Sequence, residues 1–93
     1  MVKKWKGGFF MENFYSINIV VGKRSESYDK VNEILHNFSK YIKLRVGYPI
    51  EEEDSAVIFI LFKGNNDILG SFTGKLGQIK YVKVKSMLIK KEG

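Results

Sequence analysis

Residues 56–62 have the sequence AVIFILF, and this stretch decides the fold. Seven apolar residues in a row are too few to cross a membrane, and the β-branched and aromatic side chains among them favour a strand over a helix. Successive side chains of a strand point to opposite faces, so the run presents apolar groups on both faces. Such a strand belongs in the centre of a sheet, and its second face needs a covering of its own.

Three other segments alternate apolar and polar residues, which is the pattern of a half-buried strand. They are residues 14–21, 42–48 and 81–89. In the second segment the alternation predicts that the core-facing residues are Ile42, Leu44, Val46 and Tyr48. Lys43 and Arg45 would then lie on the opposite face, and Pro49 would end the strand. The lysines of the third segment predict an edge strand that is protected from unwanted pairing.

Two segments carry apolar residues three and four positions apart, the spacing of a helix with one buried face. The first stripe consists of Val31, Ile34, Leu35 and Phe38, and the second of Ile68, Leu69, Phe72 and Leu76. Ser25 or Ser27 is the predicted N-cap of the first helix, and an asparagine after Lys63 is that of the second. Gly70 and Gly74 each cost up to about 1 kcal/mol relative to alanine, which suggests close approach of a backbone, a partner or a ligand.

The predicted order of elements is β-α-β-β-α-β, the ferredoxin-like pattern of the α+β class. In this fold two helices cover one face of a four-stranded antiparallel sheet, and the first and third strands are central. The most apolar segment is the third strand, as the arrangement requires. Residues 12–93 are therefore predicted to form a single domain. Residues 1–11 show no periodicity, and we expect them to be a loosely attached extension.

The composition predicts a small globular protein without cysteine chemistry. The 93 residues are 44% hydrophobic and 14% aromatic, which suffices for one modest core. No cysteine is present, which excludes disulfides, thiolate metal ligands and a cysteine nucleophile. The lysines near the start are not followed by an apolar region and a cleavage site, as a signal peptide requires. We expect a cytoplasmic protein without membrane contact.

The net charge of +6 permits weak attraction to phosphates. Half of it comes from three lysines within residues 1–11, and residues 75–91 contain six lysines and no acid. Solvated lysines are the commoner explanation of such a pattern. The basic-aromatic motif of RNA-binding domains with this topology is absent. Nucleic-acid binding is therefore expected to be weak and nonspecific.

The sequence offers little for catalysis or metal binding. His36 is the only histidine, which is too few ligands for a transition-metal site without cysteine. No nucleophile motif is present, and the acidic residues 51–54 have the pattern of a solvated loop. Residues 74–77, GKLG, lack the spacing of a phosphate-binding loop. We expect a protein that is not an enzyme and holds neither a cofactor nor a metal.

Three stretches resemble one known family. They are VNEILHNFS at 31–39, LRVGYP at 44–49 and GKLGQI at 74–79. The sequence is similar there to small proteins of anaerobic bacteria that are named regulators of the iron-only hydrogenase system, and the likeness runs from about Tyr15 to Lys90. Members resemble ACT domains and the C-terminal domain of nickel-responsive regulators. The resemblance implies an ACT-like ferredoxin fold and a regulatory module that pairs with copies of itself and binds a small effector.

The resemblance does not carry over a metal site or a DNA-binding domain. Nickel-responsive regulators use several histidines and a cysteine, whereas this chain has one histidine and no cysteine. Residues 1–11 are also too short for their ribbon-helix-helix domain. A DNA- or RNA-associated regulator that uses the lysine-rich surface stays as the alternative function.

Two sets of residues are predicted to carry function. An effector with a carboxylate could be held by hydrogen-bonding groups and glycines at Gly22, Asn32, His36, Arg45, Gly47, Tyr48, Lys75 and Gln78. Two helices cover only one face of the sheet, so apolar side chains on the other face should join two copies in a homo-oligomer. These side chains are Val20, Val57, Phe59 and Leu61, with Lys43 and Arg45 at the rim.

Overall fold

The computed structural model describes residues 12–91 and contains six main elements in the predicted order. Strand β1 spans Asn13–Val21 and helix α1 spans Arg24–Asn37. A short 3-10 turn leads into β2 (Ile42–Ile50), and a second leads into β3 (Ser55–Gly64). Helix α2 (Asn66–Gly77) and strand β4 (Val82–Lys91) complete the fold. Residues 1–11, predicted to be an extension, lie outside the described residues.

The four strands form one antiparallel sheet in the order β2-β3-β1-β4. The first and third strands are therefore central, and the α+β ferredoxin-like prediction is confirmed. The lysine-bearing β4 lies at an edge, as predicted. No helix within residues 12–91 is long and apolar enough to span a membrane.

The core lies between the sheet and the two helices. Alternate residues of β1 and β3 are buried there, from Tyr15 to Val21 and from Ala56 to Phe62. At one end Phe62 stacks on Phe72 of α2 with ring centroids 4.9 Å apart, and Phe72 also contacts Phe38 at 5.1 Å. The predicted stripes of both helices thus face the sheet, because their residues are buried or packed against the core.

Helix α1 begins in a way that the sequence did not predict. Its N-cap is Lys23, in the left-handed region with φ of 48°, and this residue makes no side-chain cap. Asp54, from the turn before β3, satisfies the first N–H groups: its carbonyl accepts from Arg24 N at 2.7 Å and its Oδ1 from Ser25 N at 3.1 Å. The predicted caps serve elsewhere, since Ser25 Oγ donates to Asp54 and Ser27 Oγ to the carbonyl of Lys80. In α2 the prediction is right, because Asn65 accepts from Ile68 N at 2.8 Å.

Strand β2 corrects the predicted alternation. Ile42 pairs with Phe62 on the helix-covered face, but the register shifts by one residue at Lys43, and Leu44 pairs with Leu61. A one-residue shift moves every following side chain to the other face. The residues predicted to enter the core beyond Ile42 are consequently exposed, whereas Arg45 lies on the helix-covered face. The strand also continues past Pro49, which an edge strand tolerates because one side of it needs no N–H donor.

Candidate functional site

The uncovered face of the sheet carries an apolar surface built from β2 and β3. Register places three rows side by side, in which Leu44 lies opposite Leu61, Val46 opposite Phe59 and Tyr48 opposite Val57. We call these six residues the open-face patch. Val46 and Phe59 are 50% and 48% exposed, so half of each side chain remains in water. Monomers seldom leave a contiguous apolar surface of this kind uncovered.

The polar part of the open face lies on the other two strands. The middle row continues from Phe59 to Asn18 on β1 and then to Lys85 on β4. Val20 adds a further apolar side chain, 42% exposed, next to Val57. The β4 lysines Lys83 and Lys85 are thus separated from the open-face patch by the width of β1, whereas Lys63 follows Leu61 on the open face of β3. A partner could cover the patch while Lys83 and Lys85 stay hydrated.

The open face contains a shallow cavity of about 150 Å³ around Leu44, Phe59 and Leu61. Its lining is almost entirely apolar, with Ser16 as the one polar residue. The lining residues are Ser16, Leu44, Val46, Phe59, Ile60, Leu61 and Ile89. The patch is therefore indented, and a bulky apolar side chain from a partner would fit it.

A second candidate site lies on the helix-covered face, between α1 and the edge strand β2. Three α1 residues four positions apart, Arg24, Tyr28 and Asn32, form one side. Alternate residues of β2 form the other. Four residues of a helix and two residues of a strand both span about 6 Å, so successive residues of the two rows lie opposite each other along the groove. We call this the α1–β2 groove.

The two ends of the groove differ in chemistry. At one end Arg45 Nη2 donates to Asn32 Oδ1 at 2.6 Å and closes the gap between strand and helix. At the other end lies a cavity of about 100 Å³. Its lining residues are Arg24, Tyr28, Gly47, Tyr48, Pro49, Ala56 and Ile58. Gly47 leaves this space free, because a Cβ added there would meet no atom within 4 Å.

Arg24 is the charged group of this cavity. Its guanidinium lies over the Tyr28 ring, with the central carbon 5.0 Å from the ring centroid. Its Nε is buried and has no hydrogen-bond partner among residues 12–91. A buried N–H donor without an acceptor is unfavourable, since folding removes its water. Arg24, which lines the cavity, thus has one unused donor on a positively charged group.

The structure brings four of the eight predicted effector residues into this groove. Gly47 and Tyr48 line the cavity, although the register turns the Tyr48 side chain to the open face. Asn32 and Arg45 form the hydrogen bond at the far end of the groove. Their role in binding stays a prediction. Arg45 was assigned to the rim of the open face as well, and that placement was wrong because of the register shift at Lys43.

The other four predicted residues do not line either cavity. His36 is exposed in the last turn of α1. Gly22 donates its N–H to the carbonyl of Tyr81 at 2.8 Å, and a Cβ added there would lie 3.1 Å from the same oxygen. This glycine therefore serves close packing of two loops. Lys75 and Gln78 are exposed in the last turn of α2 and just beyond it.

Sequence reasoning missed Arg24 and Tyr28. Their spacing with Asn32 is visible along the helix, but these residues lie beside the predicted apolar stripe and had no assigned neighbour. Only the shift in β2 turns Gly47 and Arg45 towards them. Within the described part of the chain, no group of three or more His, Cys, Asp or Glu residues is placed to hold a metal ion.

The comparisons with known proteins agree with the fold. A family model described as "TM1266-like: Iron-only hydrogenase system regulator, putative" matches residues 13–86. The chain belongs to the TM1266-like family. The resemblance noted in the sequence is thereby confirmed, and the family description supports a regulatory role.

Two solved structures are similar to this TM1266-like chain. The uncharacterized protein TM1266 from Thermotoga maritima is 52% identical, with a TM-score of 0.81 over 85% of this chain and 99% of that one. A conserved protein of unknown function from Bacteroides thetaiotaomicron is 12% identical, with a TM-score of 0.56 over 83% and 98% of the two chains. The second likeness concerns the fold alone. A search of curated proteins finds no match.

Proposed function

We propose that this chain is a non-enzymatic regulatory module of the iron-only hydrogenase system, that it acts as a homo-oligomer and that it binds a small effector. The family description supports the regulatory role. The open-face patch is the observation that carries the oligomer, because its six apolar side chains are only partly covered. The simplest assembly is a C2 dimer in which two patches face each other.

Burial of the open-face patch can offset the lower end of the cost of association. Complete burial of a large apolar side chain is worth about 1.5–3 kcal/mol, so covering the remaining half of each patch residue gains roughly 1 kcal/mol. Two facing patches then supply on the order of 10 kcal/mol. Loss of translational and rotational freedom costs about 4–15 kcal/mol. Hydration of Lys83 and Lys85 on β4 is kept, because β1 separates them from the patch.

Sedimentation equilibrium on the full chain tests the proposal. We expect a dimer or a higher oligomer at about 0.1 mM protein. We expect a monomer for Phe59→Asp, which places an unpaired charge inside the contact. Ser71→Asp is the matched control, since it adds the same charge to an exposed position on α2. A monomeric native protein would contradict the proposal.

The regulatory role can be tested in a host that carries an iron-only hydrogenase. Loss of the gene should change hydrogenase activity, and the native gene should restore it. The Phe59→Asp variant should fail to restore it although the protein accumulates in folded form, whereas Ser71→Asp should succeed. Restoration by both variants would separate regulation from assembly and would refute the role of the open-face patch.

A further inference from the structure

The α1–β2 groove contains a donor that no described residue uses. Arg24 Nε is buried without a partner, and the guanidinium lies over the Tyr28 ring. An arginine offers its Nε–H and a neighbouring Nη–H as a parallel pair, which matches the two oxygens of a carboxylate. The unused donor therefore has the geometry of half of such a pair.

The charge around the cavity favours an anion. Among the lining residues Arg24 is the single charged one, and Arg45 adds a second positive charge at the far end of the groove. Several carboxylates lie close in sequence to the lining residues. Glu26 and Asp29 are exposed on α1, and Asp54 is engaged by Ser25 Oγ at 2.8 Å and Ser25 N at 3.1 Å. Residues 51–53 are glutamates, but they are exposed in the turn after β2. The start of α1 is itself capped by Asp54 and is not the binding group.

The opposite wall of the cavity is apolar. Ala56 and Ile58 of β3 are almost completely buried, and Pro49 and the Tyr28 ring stand beside them. The volume of about 100 Å³ corresponds to roughly three water molecules at about 30 Å³ each. That space admits a carboxylate group with a short carbon chain, and a larger ligand would have to extend into solvent.

We infer that the α1–β2 groove binds a small aliphatic carboxylate. Its two oxygens accept hydrogen bonds from Arg24, including the one from Nε, and its carbon chain lies against Ala56 and Ile58. Gly47 is the residue that keeps the space open. This inference rests on the proposed effector-binding function and names the chemical class of the effector and its site.

An NMR titration of the full chain with sodium propionate tests the inference, with the Arg24 Nε–Hε signal as the readout. We expect a saturable shift of this signal at constant pH and ionic strength. Propionamide has nearly the same shape without the charge and should give no shift. Inorganic phosphate should bind more weakly than propionate. A response that never saturates, an equal response to propionamide, or tighter binding of phosphate would overturn the carboxylate assignment.

Variants at two positions locate the site. Arg24→Lys keeps the positive charge without the Nε–H group, and we expect its affinity for propionate to fall by about tenfold or more. Its readout is the backbone amides of residues 47 and 58. Gly47→Val should abolish binding because the added methyl groups occupy the cavity. Gly74→Ala, also without a neighbour within 4 Å, is the control that should bind normally. Unchanged binding by Gly47→Val would place the site elsewhere.

The same samples separate this inference from the proposed assembly. Sedimentation reports on the open-face patch, which lies on the opposite side of the sheet from the groove. An oligomer that ignores propionate would refute the carboxylate site and leave the assembly intact. A monomer that binds propionate saturably would refute the assembly and leave the carboxylate site intact.

Discussion

Arg45 and Asn32 form a hydrogen bond of 2.6 Å between β2 and α1. This bond exists because the register of β2 shifts at Lys43, which turns Arg45 from the open face to the helix-covered face. It joins an edge strand to a helix at a point where few other groups connect them. Detection of this bond would therefore test the register of β2 directly.

A double-mutant cycle should detect this contact. Arg45→Ala and Asn32→Ala should each destabilise the protein slightly, with a coupling energy of about 0.5–1 kcal/mol in urea unfolding, as for a partly exposed hydrogen bond. A control cycle that combines Arg45→Ala with His36→Ala should give no coupling energy. If the Arg45 and Asn32 effects were simply additive, the predicted placement of Arg45 on the open face would regain support.

Val46→Asp should leave the fold intact and dissociate the oligomer. The side chain is 50% exposed in the open-face patch, so a carboxylate there stays hydrated in the monomer. A strictly alternating β2 would instead bury this residue, and the same substitution would then unfold the chain. Circular dichroism and sedimentation distinguish the two cases. Ile60→Asp, at a residue 3% exposed in the core, is the control that should unfold.

Asp54→Ala should destabilise the protein by about 1 kcal/mol, the usual loss when a helix cap is removed. The carboxylate caps α1 from a turn 29 positions away in sequence, accepting from both the N–H and the hydroxyl of Ser25. Glu52→Ala removes a charge from the same turn without touching the cap and should be nearly neutral. Thermal unfolding of both variants provides the measurement. Equal effects would mean that only the turn's charge matters.

Gly70→Ala should stabilise the protein by about 0.5–1 kcal/mol, since alanine has the higher helix propensity. Close approach of a backbone was one predicted reason for this glycine, but a Cβ added there meets no atom of the structure within 4 Å. The position is exposed on α2. Urea unfolding of the monomeric Phe59→Asp background removes any contribution from a partner. A loss of stability there would show that the glycine has a structural role within the chain.

The sequence was sufficient for most of the fold because apolar periodicity reports directly on burial. The run at residues 56–62 predicted the central strand, and the two helical stripes predicted which faces meet the sheet. Those signals are local and strong. The burial of Phe72 and Leu35 could therefore be predicted without knowledge of the tertiary structure.

The candidate sites depended on features that have no local signal. An alternating strand looks the same before and after a one-residue shift, so nothing in residues 42–48 marks Lys43 as the extra residue. That ambiguity hid half of the open-face patch and the role of Arg45. The capping of α1 by Asp54 was hidden for a related reason, because it depends on two turns meeting in space.

The shift at Lys43 also affects how sequences of this family are compared. Beyond Lys43, each side chain of β2 points to the face opposite to the one that simple alternation from Ile42 predicts. Two relatives that place this extra residue differently would present opposite faces at the same alignment column. Insertion or deletion of one residue here can therefore exchange the exposed apolar side chains for the groove side chains in a single step. Alignments of β2 should be anchored on the strand pairing with β3 instead of on residue similarity.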